Sequence, residues 1–130
     1  MLEKNLWGQL PIEDEIRTPT HILKEQATIL TDMTKGVLQG EVSVGQDGGR
    51  FELNLYIVAP RIENYTFTVA WCSHGLDLYP VRVNPGWDRA YTARIECANE
   101  EEFESALKSI LSSDKVRRVV STLLGQSRAT

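Results

Sequence analysis

Cys72-Ser73-His74 is the stretch whose side chains could do chemistry: a thiol, a hydroxyl and an imidazole in consecutive positions. On an extended strand Cys72 and His74 point the same way, and Cys97, the chain's other cysteine, could approach from another strand. A tetrahedral metal site needs three or four ligands, usually at paired short spacings. Only Cys72, His74 and Cys97 can be named here, so the pattern calls for no metal and no cofactor. Cysteine is also among the most commonly buried residue types for packing reasons alone. His74 with Ser73 and Asp77 makes a better polar cluster, because an imidazole at a strand end can serve as acid or base. A nucleophile, base and acid need a geometry that near neighbours on a strand and its turn rarely adopt. The plainer reading is a hairpin turn at Ser73-His74-Gly75 with Asp77 solvated.

Other suggestive groupings have structural readings too. Gly48-Gly49 lies between two strands, so no helix amino terminus points at it, and it reads as a turn instead of a phosphate cradle. Glu100, Glu101, Glu102 and Glu104 are spread round a helix axis and suit its positive end. Lys115, Arg117, Arg118 and Arg128 make the last helix basic, and Arg117 and Arg118 could pair with the preceding helix's glutamates. No aromatic residue is interleaved with those charges, as single-stranded nucleic-acid binding would want. Trp87 stands in a Pro- and Gly-flanked loop, where a large ring folds back or meets a partner. Aromatic residues and arginine are enriched in binding hot spots. The candidate binding set is therefore Trp87, Tyr79, Arg82, His74 and Asp77.

Composition bounds the rest. At 130 residues, 42% hydrophobic and 25% charged, the chain can bury one core without staples. A net charge of −4 argues against a nucleic-acid backbone as the main partner. No apolar run approaches the length of a membrane span, and the first residues lack the apolar centre of a secretory signal. The expectation is a cytoplasmic protein with reduced thiols and no membrane partner.

The elements that must position these residues follow from hydrophobic period. Residues 1–17 carry Leu2, Leu6, Trp7, Leu10, Ile12 and Ile16 among charges and read as an arm packed on the domain, with Trp7 as anchor. Thr18-Pro19 then starts a helix whose stripe is Ile22, Leu23, Gln26, Ile29, Leu30, Met33 and Val37, ending near Lys35-Gly36. Alternation takes over from Leu38 to Val44 and from Phe51 to Ile57, joined by Gln46-Asp47-Gly48-Gly49. A third strand alternates Tyr65, Phe67, Val69 and Trp71 with Thr66, Thr68, Ala70 and Cys72. The fourth, Leu76 to Val83, changes parity at Pro80, as an edge or bulged strand would. The fifth runs from Tyr91 to Cys97. Asn99 and Glu102 form a capping box for a helix bearing Phe103, Leu107, Ile110 and Leu111. A last helix carries Val116, Val119, Val120, Leu123 and Leu124, stops at Gly125, and leaves 126–130 as a tail.

The fold class expected is α+β: a five-stranded antiparallel meander packed on one face by helices, in the order αβββββαα, with one domain over 18–125. Three stretches, Pro19–Ala27, Leu55–Pro60 with Asn64-Tyr65, and Leu78–Val81, resemble small bacterial proteins of uncharacterised function and similar length. That resemblance implies a compact domain and no mechanism. The functional expectation is a non-enzymatic protein-binding module using the polar sheet face or the Trp87 loop, with another protein as partner or a homodimer through an edge strand. The alternative is a small ligand-binding protein or enzyme with a His74-centred site.

Overall fold

Thr18 begins the first helix: its hydroxyl accepts the amide of His21 at 3.2 Å, and Pro19, which has no amide to lose, takes the first helical position. The computed structural model describes residues 3–12 and 16–130. Helix α1 spans Pro19–Met33. Thr34 reverses the chain behind it, its hydroxyl lying 2.8 Å from the carbonyl and 3.1 Å from the amide of Leu38.

Strands β1 (Gln39–Asp47) and β2 (Arg50–Ala59) form a hairpin closed by Gly48 and Gly49, both at positive φ. That is the two-residue turn whose twist matches a hairpin, and it fixes Asp47 opposite Arg50. β3 (Tyr65–His74), β4 (Val81–Pro85) and β5 (Ile95–Cys97) complete a five-stranded antiparallel sheet in sequential order. Helices α2 (Glu100–Leu111) and α3 (Asp114–Arg128) follow, so the expected αβββββαα order holds. Asn99 caps α2 by accepting the Glu102 amide at 2.9 Å, and Glu102 accepts the Ala98 amide in return.

Four local expectations change. β3 contains a β-bulge opposite the Leu55/Tyr56 step, so Val69 and Ala70 are both buried and Trp71 turns to the open face. β4 begins only after Pro80 and is paired on both sides, by β3 and β5, so it is no edge. Pro80 has no amide for a ladder, and the segment before it makes a turn in which the Leu78 amide reaches the Gly75 carbonyl. The apparent parity slip was a strand boundary. β5 is reduced to three residues behind a 3-10 turn at Tyr91–Ala93. Helix α3 passes through Gly125 to Arg128, with Ser127 fully buried in its last turn, so the expected tail is largely helix.

The core lies between the sheet and the three helices, around Phe103, Ile22, Leu23, Leu53, Val81 and Val83. The described part of the arm contributes little to it: Trp7 is 79% exposed, and Leu6, Leu10, Ile12 and Ile16 are exposed as well. Leu2 and residues 13–15 of the arm lie outside the described residues. What ties the arm's end down is Arg17, whose guanidinium meets Glu25 of α1 and Glu100 and Glu104 of α2. Among the described residues no helix is long and apolar enough to cross a membrane.

α1 packs on β1 through Gly40. A Cβ there would stand 2.3 Å from the Ala27 carbonyl oxygen and 2.4 Å from its Cα, a clash with backbone that no rotamer can relieve. Gly40→Ala is therefore expected to destabilise the fold by about 1–3 kcal/mol, the usual scale of overpacking. A urea titration should show a lower midpoint at an unchanged slope.

Candidate functional site

The side chains expected to do chemistry do not assemble. His74 is only 4% exposed; its ring packs 5.2 Å from that of Phe51, and its Nδ1 lies 2.6 Å from the Gly75 carbonyl. Ser73 points to the opposite sheet face, where its hydroxyl accepts Arg50 Nε–H at 2.8 Å. Asp77 is exposed in the turn beyond. Cys72 and Cys97 are both fully buried free thiols. In the sheet register, His74 lies opposite Val81 and Val81 opposite Cys97, so Val81 stands between imidazole and thiol. Two strand spacings put their backbones about 9.5 Å apart, with the Val81 side chain between them. Among the described residues, no group of three or more His, Cys, Asp or Glu side chains is placed to hold a metal.

The remaining candidates are dispersed. Arg82 lies on the open sheet face, 4.0 Å from Glu96 on the neighbouring strand. Tyr79 is half-buried against the core, and burial, then the nearby Glu100 charge, raises its phenol above the ordinary value. Trp87 stacks on Phe67 at 5.8 Å and keeps 39% of its surface exposed. Its loop is held by Asn84, whose buried amide donates to the carbonyls of Asp88 and Ala90 at 3.1 and 3.0 Å. Gly86 permits this close seat, since a Cβ there would meet the Thr68 carbonyl oxygen at 2.1 Å. Trp87 therefore packs over the sheet with one face and meets solvent with the other.

One concave site was not anticipated. A groove of about 530 Å³ runs between α1 and the end of α2 with α3. Its floor is Leu55 and Ile57 of β2 with Val69 of β3; Ala27 and Leu30 form one wall, and Leu111, Val116, Val120 and Leu124 the other. Val69 lies in the bulged stretch, so the β3 irregularity helps to shape the floor. Ile29 and Met33 line the lip, 46% and 78% exposed, although α1's periodicity places both in its buried stripe. Only Gln26, Thr34, Tyr56, Arg117 and Ser121 bring polar groups to it. Size and lining are those of a binding cleft.

Charge is arranged unevenly around this groove. Lys115, Arg117 and Arg118 on α3 are exposed, and none makes an ion pair among the described residues. Two of the glutamates expected to pair with them are engaged elsewhere: Glu100 and Glu104 meet Arg17. Hydrogen bonds that Arg17 donates to Glu25 and then Glu104 raise its guanidinium, and accepting from Arg17 holds Glu25 below its ordinary value. Arg117 is thus the one charged residue lining the groove, with Lys115 and Arg118 exposed nearby on the same helix of a chain of net negative charge.

The open sheet face holds another residue outside the expected set. Trp71 lies beneath the Arg89 guanidinium at 5.4 Å, and Arg89 donates to Asn54 Oδ1 at 3.2 Å. Strict alternation put Trp71 on the apolar side; the bulge turns it outward, and no residue in β3 announces that bulge. The groove did have a signal, an α1 stripe wider than the surface one sheet strand can cover. No family model, curated protein or solved structure matches this chain.

Burial, then the charges of Glu102 and Glu96, push the Cys97 thiol up to about 11. Burial, then proximity to Cys97, holds Cys72 well above its ordinary value. Both thiols stay protonated and shielded at neutral pH, and the thiolate is the reactive form. A colorimetric thiol reagent should find no reactive cysteine in the folded chain and both after denaturation; rapid native labelling would contradict this packing.

Proposed function

We propose that this chain is a non-enzymatic interaction module whose ligand is an amphipathic segment of another protein, seated in the groove between α1 and α3. The observation that carries the reading is the groove itself: an apolar cleft with Ile29 and Met33 exposed at its lip and a single charged lining residue, Arg117, on its α3 wall. Apolar side chains spaced at three and four residues would fill its floor, the way an amphipathic helix docks in a groove. Carboxylates flanking that stripe would meet Arg117 and its neighbours, and charges of this kind contribute more to orientation and association rate than to affinity.

The His74-centred alternative has less behind it. His74 and Ser73 face opposite sides of the sheet, and His74 does not line the groove. The Trp87 loop and the Trp71–Arg89 pair keep some exposed aromatic surface, but each ring is already covered on one side by its own chain.

The test is a display library of amphipathic peptides selected on the intact protein. Enriched sequences should share an i, i+3, i+4, i+7 apolar stripe with acidic flanks. They should lose at least tenfold in affinity for Val120→Asp, a groove-wall change, and several-fold for Arg117→Glu. Peptides that bind both variants as well as the parent would remove the groove from the reading.

A further inference from the structure

The hairpin turn dictates which backbone groups of β1 are used. A two-residue loop at Gly48-Gly49 makes Asp47 and Arg50 the last pair to exchange both backbone hydrogen bonds. Alternation then directs the amides and carbonyls of Glu41, Ser43, Gly45 and Asp47 to β2, and those of Gly40, Val42, Val44 and Gln46 away from the sheet. An independent contact agrees: the Gly40 amide donates to the Thr31 hydroxyl of α1, at 3.0 Å. Beyond Gly40, Val42, Val44 and Gln46 make no hydrogen bond on that outer side among the described residues.

This edge lacks the usual protections. β1 is nine residues long, contains no Pro, Lys or Arg, and keeps an unbroken register with β2. The opposite edge, β5, has three residues. Val44 is 52% exposed, and everything from Ser43 to Gly49 is exposed, so α1 obstructs the edge only at its start.

We infer that β1 pairs antiparallel with β1 of a second copy across a two-fold axis at Ser43, joining the two sheets edge to edge. The occupant follows from the strand's own order. Centred on Ser43, Val42 lies opposite Val44 of the second copy, and the reverse, each pair exchanging both backbone hydrogen bonds. Glu41 then faces Gly45, and Asp47 faces Gln39, so no like charges meet. The four valines adjoin on the helical side of the joined sheet. Moving the axis to Val44 would set Glu41 against Asp47 twice, and like charges directly opposite are destabilising. With the axis at Ser43, the Gly40 amide that Thr31 holds costs only the outermost Gly40–Gln46 pairs and leaves both Val42–Val44 pairs intact. An axis at Val42 would lose the two Gly40–Val44 pairs beside its centre. This inference does not depend on the groove reading, because none of Val42, Ser43 or Val44 lines the groove.

Register makes the test specific. Directly opposed residues of a non-hydrogen-bonded pair lie about 4.5 Å apart at Cα, within disulfide range. Ser43→Cys should therefore cross-link to a covalent dimer under mild oxidation, whereas Gly45→Cys, opposite Glu41, should not; the native Cys72 and Cys97 are buried and do not interfere. Sedimentation of the unmodified chain should give a dimer of twice 14.7 kDa at high concentration. Hydrogen exchange at Val42 and Val44 should slow as concentration rises, while Ser43, bonded within its own sheet, stays slow throughout. Val44→Pro removes an outward amide and should yield a folded monomer. A monomer at every concentration, fast Val42 and Val44 exchange in the dimer, or equal cross-linking at 43 and 45 would overturn the inference.

Discussion

The seat of α1 on Gly40 is the contact on which the rest of this structure depends. Helix and strand backbones touch there with no side chain between them, and the Thr31 hydroxyl completes the junction by accepting the Gly40 amide. A helix held that closely at one strand cannot also lie flat over its neighbours. Ala27 and Thr31 face β1, while Ile29 and Met33, turned away from that strand, line the lip of the groove facing α3. The floor between them, Leu55, Ile57 and Val69, is almost wholly buried, and the groove opens above it between the helices. The groove and the covering of the β1 edge at its start are two consequences of one backbone contact.

The sheet divides its labour through two irregularities of parity. The tight turn at Gly48-Gly49 sets which side of β1 and β2 is apolar and which β1 amides point outward. The bulge in β3 then reverses the alternation, letting Val69 and Ala70 both stay inside while Trp71 moves out under Arg89. Without it, either Val69 or the run Cys72–His74 would lie on the wrong face, because one residue's shift exchanges all inward and outward side chains beyond it.

Much of the fold was legible because it rests on local chemistry. Thr18-Pro19, Gly48-Gly49 and Asn99 with Glu102 each satisfy or release backbone groups where an element begins or turns, and each stands where expected. The misreadings share a different cause. A bulge has no required residue type, so β3 was read with one parity throughout. Pro80 signalled an interruption correctly, but a missing amide cannot say whether a strand bends or has yet to begin. Gly125 is tolerated inside α3 because Leu123 and Ser127 on either side are buried, a tertiary term outweighing local preference. The groove is a matter of how closely two backbones approach, and helix periodicity contains only the direction of each side chain.

The side chains that could do chemistry in β3 and β5 lie inside, while a few large apolar ones stay at the surface. Cys72, Ser73, His74 and Cys97 are buried; Ser73 takes a side-chain hydrogen bond and His74 a close backbone contact, and the two thiols are held protonated by burial. An active site needs the reverse, polar groups left reachable and incompletely satisfied until substrate arrives. On this chain the surface left incompletely used is apolar or backbone: Ile29 and Met33 at the groove lip, Val44 and the outward amides along β1. Apolar area gains free energy from being covered by almost any complementary surface, at roughly 25 cal/mol per Å², whereas strand edges gain direction and register from hydrogen bonds. The two kinds of unused surface therefore suit association in different ways, the groove by shape and the edge by sequence order.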